Sequence, residues 1–166
     1  MMRWPGVTIG VLASLLAFGS LDDPSENGGH RAGGSIEDRV DEWARTTADA
    51  EYGGVWIERG RLFVGFTDDP RAYEARVRSD LGTSNVNVVR VERSLRTLVE
   101  IQQAIDTNIG QLSTVGATFT GSAIRPDRSV VVLSVSGNVE AARDFVRGHF
   151  PPRSVDVEER EAPRPA

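Results

Sequence analysis

The stretch GGVWIERGRLFVGFTDDP, residues 53–70, decides how the rest of the chain is read. Val55 and Ile57 alternate with Trp56, and Leu62, Val64 and Phe66 alternate with Phe63 and Gly65. Spacing of two places each apolar set on one face of a strand. Between the strands, Glu58 to Arg61 supplies a tight turn in which Gly60 is free to take positive φ. Asp68-Asp69-Pro70 then starts a helix, with an acid at the cap and a proline in the first turn, where no donor is lost. No nucleophile or ligand cluster lies beside this hairpin. Its purpose must therefore lie in what it packs against.

Outward from the hairpin, the same grammar repeats. Ser35 and Asp38 have capping-box spacing, and Ile36, Val40, Trp43 and Thr47 follow on one helical face, with Gly53-Gly54 as the expected stop. Tyr73, Val77 and Leu81 make the stripe of the helix after the hairpin, which Gly82 ends. VNVVRVERS is a third strand. Ser94 caps a helix with Leu95, Leu98, Gln102, Ile105 and Ile109 on one face, expected to end at Gly110. FTGSAIRPDRSVVVLSVSG is a second hairpin turning at Pro126-Asp127, Asn138 caps a helix with Val139, Ala142, Val146 and Phe150, and SVDVEE is a last strand. Leu62-x-Val64-x-Phe66 matches Val131-x-Leu133-x-Val135, and in both copies a helix-face residue, Tyr73 or Ala142, follows seven positions later. The expected fold is α+β: two small ββαβ units with antiparallel sheets and helices packed on one face. The first unit spans 35–112 and the second 113–160. Units near 40 residues bury little surface alone. With one helix over its sheet, the second unit is expected to be the weaker and to await another surface.

Composition narrows the function classes. The 166 residues are 39% hydrophobic and 26% charged, with a net charge of -5 and no cysteine. An acidic chain is a poor counter-ion for nucleic acid, and neither disulfides nor a thiolate metal site can form. Residues 1–20 carry Arg3, an apolar run from Val7 to Phe18 and small residues at Ala17 and Gly19. This is the pattern of a secretory signal, with an uncleaved membrane anchor as the alternative. Residues 21–34 read as a flexible linker containing His30. The expected location is secreted or extracytoplasmic.

The residues then suggest a family. Tyr52 to Trp56, Val64 to Asp68, and Arg93-Ser94-Leu95 with Leu98 resemble the aromatic-glycine hairpin, second strand and helix start of the pro-region of alpha-lytic protease and the streptogrisins. The likeness runs from Ile36 to Glu159 and is poorer in the second hairpin, where Ser122 or Ala123 replaces the expected aromatic. The resemblance implies a non-catalytic protein that binds, helps fold or inhibits a chymotrypsin-like serine protease. It further implies sheet-edge pairing near Val155, Val157 and Glu159, with Glu161, Pro163, Arg164, Pro165 and Ala166 as a tail lying in the protease cleft. The resemblance stops before a catalytic domain, so the expected partner is a separately encoded protease.

Candidate sites are few. No G-x-S-x-G or paired nucleophile and base is present, so no enzyme activity, catalytic residue, metal or cofactor is expected. His149 sits where a histidine complements a helix dipole. Asp68-Asp69 reads as a cap rather than a metal site. Residues 161–166 also read simply as a disordered end. Trp56 and Phe63 fall opposite the core-facing residues of their strands, so they are either core or an exposed aromatic patch for a partner. The alternative function is an extracytoplasmic protein-binding or structural module with an unrelated partner, since a fold does not fix a function. Nothing in the sequence sets the oligomeric state.

Overall fold

The computed structural model describes residues 35–161. The signal-like segment, the linker with His30, and tail residues 162–166 lie outside the described residues. The elements run α1 (Ile36–Ala48), β1 (Tyr52–Glu58), β2 (Arg61–Phe66), α2 (Arg71–Leu81), β3 (Val86–Arg90), α3 (Leu95–Thr114), β4 (Ala117–Arg125), a 3-10 turn (Pro126–Arg128), β5 (Val130–Gly137), α4 (Val139–His149) and β6 (Val155–Glu159). The fold is α+β, with two three-stranded sheets ordered β1-β2-β3 and β4-β5-β6.

Neither sheet is purely antiparallel, which corrects the expectation. In each sheet the hairpin pair is antiparallel, and the third strand joins parallel, Val64 beside Val88 and Leu133 beside Val157. The cause is the helix between the second and third strands: a crossover returns the chain in its original direction, as a hairpin cannot. Both hairpins carry a register irregularity in their first strand, between Tyr52 and Gly54 and between Phe119 and Gly121. The repeat is thus deeper than the sequence suggests, an αββαβ unit used twice.

Each sheet is covered on one face by two helices. Val40, Ala44 and Ala48 of α1 meet Tyr52, Leu62, Val64, Phe66 and Tyr73 in the first core. Phe66 stacks on Tyr73 with ring centres 3.9 Å apart. The second core joins Leu98, Ile101, Ile105 and Leu112 of α3 to Val131, Leu133 and Val135, and to Ala142, Phe145 and Val146 of α4. Helix α3, read from sequence as part of the first unit, therefore roofs the second sheet. Among the described residues, both sheets belong to one compact unit.

Local chemistry explains the boundaries. Ser35 and Asp38 form a reciprocal capping box, while Ser94 and Asn138 accept from Thr97 N and Ala141 N. The hairpin turn places Arg59 and Gly60 at φ 50° and 74°, the mirror-image turn that suits strand twist. Helix α1 stops at Ala48, and Gly53 and Gly54 lie inside β1 instead of ending the helix. Helix α3 runs through Gly110 to Thr114 because Leu112 is buried in the second core. Packing outweighs the modest penalty of one helical glycine.

Candidate functional site

Strand β6 closes one side of the second sheet, and β5 is its single strand neighbour among the described residues. Val131 N donates to Ser154 O at 2.9 Å, and Arg160 N donates to Val135 O at 2.8 Å. In a parallel ladder every second residue of a strand bonds to one neighbour. The intervening N–H and C=O groups, those of Val155, Val157 and Glu159, therefore point out from the sheet edge. An unpaired row of this kind is a template for another strand.

A groove of about 360 Å³ runs along this edge, lined by Val155, Asp156, Val157 and Glu158 of β6, Arg143, Val146 and Arg147 of α4, and Arg128. Its two walls differ. Toward α4, Val155 and Val157 belong to or pack against the second core, and the rim arginines are engaged, Arg143 by Glu140 and Arg147 by Asp144. Toward the opposite face stand Asp156 and Glu158, both facing Arg128, which pairs directly with Asp156 and lies 4.0 Å from Glu158. Arg125, one strand further away, is held bidentately by Asp127 through two 3.1 Å bonds. That bonding raises the guanidinium further above its ordinary value.

The start of β6 is anchored by an arginine from the first half of the chain. Arg93, whose side chain is only 14% exposed, donates to the carbonyls of Ser129, Pro152 and Arg153 at 3.0, 2.9 and 3.2 Å. Ser129 and Arg153 have left-handed φ values of 53° and 59°, uncommon for residues other than glycine. Glu92 N donates to Ser129 Oγ at 3.1 Å. The β3–α3 linker, the β4–β5 turn and the α4–β6 loop are thereby tied at one point.

Of the sequence-predicted residues, the structure brings Val155 and Val157 together in the groove, and ends the strand with exposed Glu159 and Glu161. Pro163, Arg164, Pro165 and Ala166 lie outside the described residues. Trp56 and Phe63 stack at 5.7 Å and 9°, but they are half-buried and do not form an open patch. The corrected cause is the second hairpin: its turn lies against β1, Pro126 packing on Gly54. The indole Nε1 of Trp56 is buried without a partner, beside a cleft lined by Ile57, Glu58, Ile124, Arg125, Pro126 and Asp127.

Sequence reasoning missed Arg143, Val146, Arg147, Arg128 and Arg93. The spacing of Arg143 and Arg147, one helical turn apart, was visible as a signal. The tie made by Arg93 was not, because its acceptors are backbone atoms far away in sequence. Asp68 and Asp69 serve the turn before α2, accepting from Asp69 N and Arg71 N at 2.8 and 3.1 Å. His149 Nδ1 lies 2.8 Å from Phe145 O, and its ring stacks on Phe145. Among the described residues no cluster of three metal-ligating side chains occurs, and no helix is long and apolar enough to cross a membrane. No protein-family model matches the chain, and a search of curated proteins finds no match either.

Proposed function

We propose that this chain is a secreted, non-catalytic binding protein whose β6 edge takes up an extended strand of a chymotrypsin-like serine protease, inhibiting it or assisting its folding. One observation carries the reading: the outward-facing N–H and C=O groups of Val155, Val157 and Glu159 border a groove lined by three valines, Val146, Val155 and Val157, among charged side chains. Main-chain bonds to such an edge supply affinity, and the side-chain wall supplies selectivity. The partner class rests on the resemblance of Tyr52–Trp56, Val64–Asp68 and Arg93–Leu98 to the alpha-lytic protease pro-region. On this reading the tail after Glu161 enters the protease cleft. A secreted pair would meet outside the cytoplasm, in keeping with the signal-like N-terminus.

The test is inhibition of a streptogrisin-type protease by the full chain, by a chain ending at Arg160, and by Val157→Pro. The Val157 N–H faces away from β5, so proline there removes an edge donor without breaking the sheet's own ladder. The full chain should inhibit, and both variants should weaken inhibition at least about tenfold while circular dichroism shows them folded. A folded full chain that leaves the protease untouched refutes the protease reading.

A second reading keeps the edge but changes the partner. Ser122 or Ala123 stands where the resembled family has an aromatic, so the second hairpin need not fit the same protease. Binding that is lost in Val157→Pro but indifferent to the tail favours this reading.

A further inference from the structure

We propose that the tail following Glu161 docks on the chain's own second sheet, with Pro163 seated in a notch at Gly121. The proposal concerns the free chain and does not depend on the partner proposed above. The two αββαβ repeats align residue by residue through their strand registers. Gly54 pairs with Gly65 just after the irregularity of β1, and Gly121 pairs with Ser134 just after that of β4. The third strands end alike: Val91 N donates to Phe66 O, and Arg160 N donates to Val135 O. Gly53, Gly54 and Val91 of the first repeat therefore correspond to Thr120, Gly121 and Arg160 of the second.

The first repeat shows what this place holds. A Cβ on Gly54 would lie 2.7 Å from Pro126 Cβ, while one on Gly53 would lie 2.3 Å from Val91 Cγ2 and 3.2 Å from Arg93 O. The chain leaving β3 thus crosses the irregularity of β1, and a proline ring fills the position beside it. In the second repeat, a Cβ on Gly121 would meet nothing within 4 Å. A cavity of about 140 Å³ lies there, with Gly121, Ala123, Val132, Ser134 and Arg160 in its lining. Next to it, Thr120 Oγ1 is buried with no hydrogen-bond partner among the described residues.

Chain order names the occupant. Ala162 follows Arg160 by the same interval that separates Arg93 from Val91. Its carbonyl therefore corresponds to that of Arg93 and falls beside Thr120, where it answers a hydroxyl that is costly to bury unpaired. Pro163 comes next in the tail, as Gly121 comes next in β4. One residue of extended chain spans about 3.3–3.6 Å, so Pro163 reaches the notch without slack. It brings the same ring that Pro126 brings to Gly54. Pro163 and Pro165 also hold φ fixed, which lowers the entropy lost when the tail is ordered. A partner that takes up this tail must first draw it from the notch, so docking weakens apparent affinity by the fraction of tail left free.

The test is NMR on the isotope-labelled full chain, read at the tail and at the notch. NOEs should join the Pro163 ring to Gly121 Hα. The backbone order parameter at Arg164 should exceed about 0.6, the upper end for flexible backbone. Gly121→Val fills the notch, and the sheet tolerates it because Gly121 has no left-handed φ and open space for a side chain. In that variant the NOEs should vanish and Arg164 should fall below about 0.6, with β4–β5 cross-strand NOEs unchanged. Pro163→Gly should release the tail in the same way with the notch intact. A flexible Arg164 in the full chain, without NOEs to Gly121, overturns the docking. So does a docked tail that persists in Gly121→Val. Mixing labelled with unlabelled chains identifies the copy. NOEs that arise only between copies place a neighbour's tail in the notch and overturn the intramolecular assignment.

Discussion

At the scale of single residues, the glycines of the opening hairpin show what it docks against. A Cβ on Gly65 would sit 2.6 Å from Val91 Cγ1, and one on Gly54 would sit 2.7 Å from Pro126 Cβ, with φ already at +117°. These glycines let the β3–α3 linker and the second hairpin's turn approach the sheet. Gly110 differs, since a Cβ there meets nothing within 4 Å. Gly65→Ala should therefore lower stability by about 1–3 kcal/mol through overpacking, whereas Gly110→Ala in α3 should raise it by about 0.5–1 kcal/mol. Urea midpoints of the two variants check both signs. Tyr52 makes a second residue-scale case. Its phenol donates to Asp41, and burial, then that bond and the Asp41 charge, push its ionisation well above the ordinary tyrosine value. A tyrosine in the unfolded chain ionises near pH 10 (about 10), so the native preference for the neutral phenol contributes fully below that pH. Its contribution is lost as pH rises from there through the folded value. Alkaline denaturation should start later in Tyr52→Phe relative to its own neutral stability, leaving the part due to Tyr73, whose ionisation is also raised.

At the scale of elements, caps were the most legible feature because they are local. Ser35 with Asp38, Ser94 with Thr97 and Asn138 with Ala141 all bond within three residues. Ser94→Ala should cost about 0.5–2 kcal/mol by chemical denaturation, near the upper end because Ser94 is buried. Strand parity was equally legible: Leu62, Val64 and Phe66 point to the first core, and Val131, Leu133 and Val135 to the second. Stops were read less well. By sequence, Gly53, Gly54 and Gly110 look like breakers, but a glycine stops a helix only where no packing rewards continuation. At Gly110 the reward is Leu112, and at Gly54 the glycine is needed by a neighbouring turn rather than by the helix before it. The edge character of β6 was legible only through the family resemblance, since its alternation alone does not reveal which side lacks a neighbour.

At the scale of the whole molecule, Arg93 joins the two sheets' surroundings. Three carbonyls from two loops converge on one little-exposed guanidinium, and hydrogen bonds to a charged group are stronger than neutral ones. Arg93→Ala should lower stability by about 2–3 kcal/mol and speed amide exchange in β6 more than in β2, a contrast that hydrogen exchange measures directly. Arg93→Lys should recover part of this, because an ammonium lacks the planar fork that reaches both loops. Equal loss of protection in both sheets would mean that Arg93 supports the fold generally and does not position the edge. The sequence by itself determined the elements, their apolar faces and the twofold repeat, because caps, turn chemistry and periodicity act over a few neighbouring residues. Only the tertiary structure decided that α3 roofs the second sheet, that each third strand runs parallel, and that Arg93, Arg143 and Arg147 stand at the β6 edge. Those outcomes depend on contacts between residues dozens of positions apart, and local spacing carries no record of them.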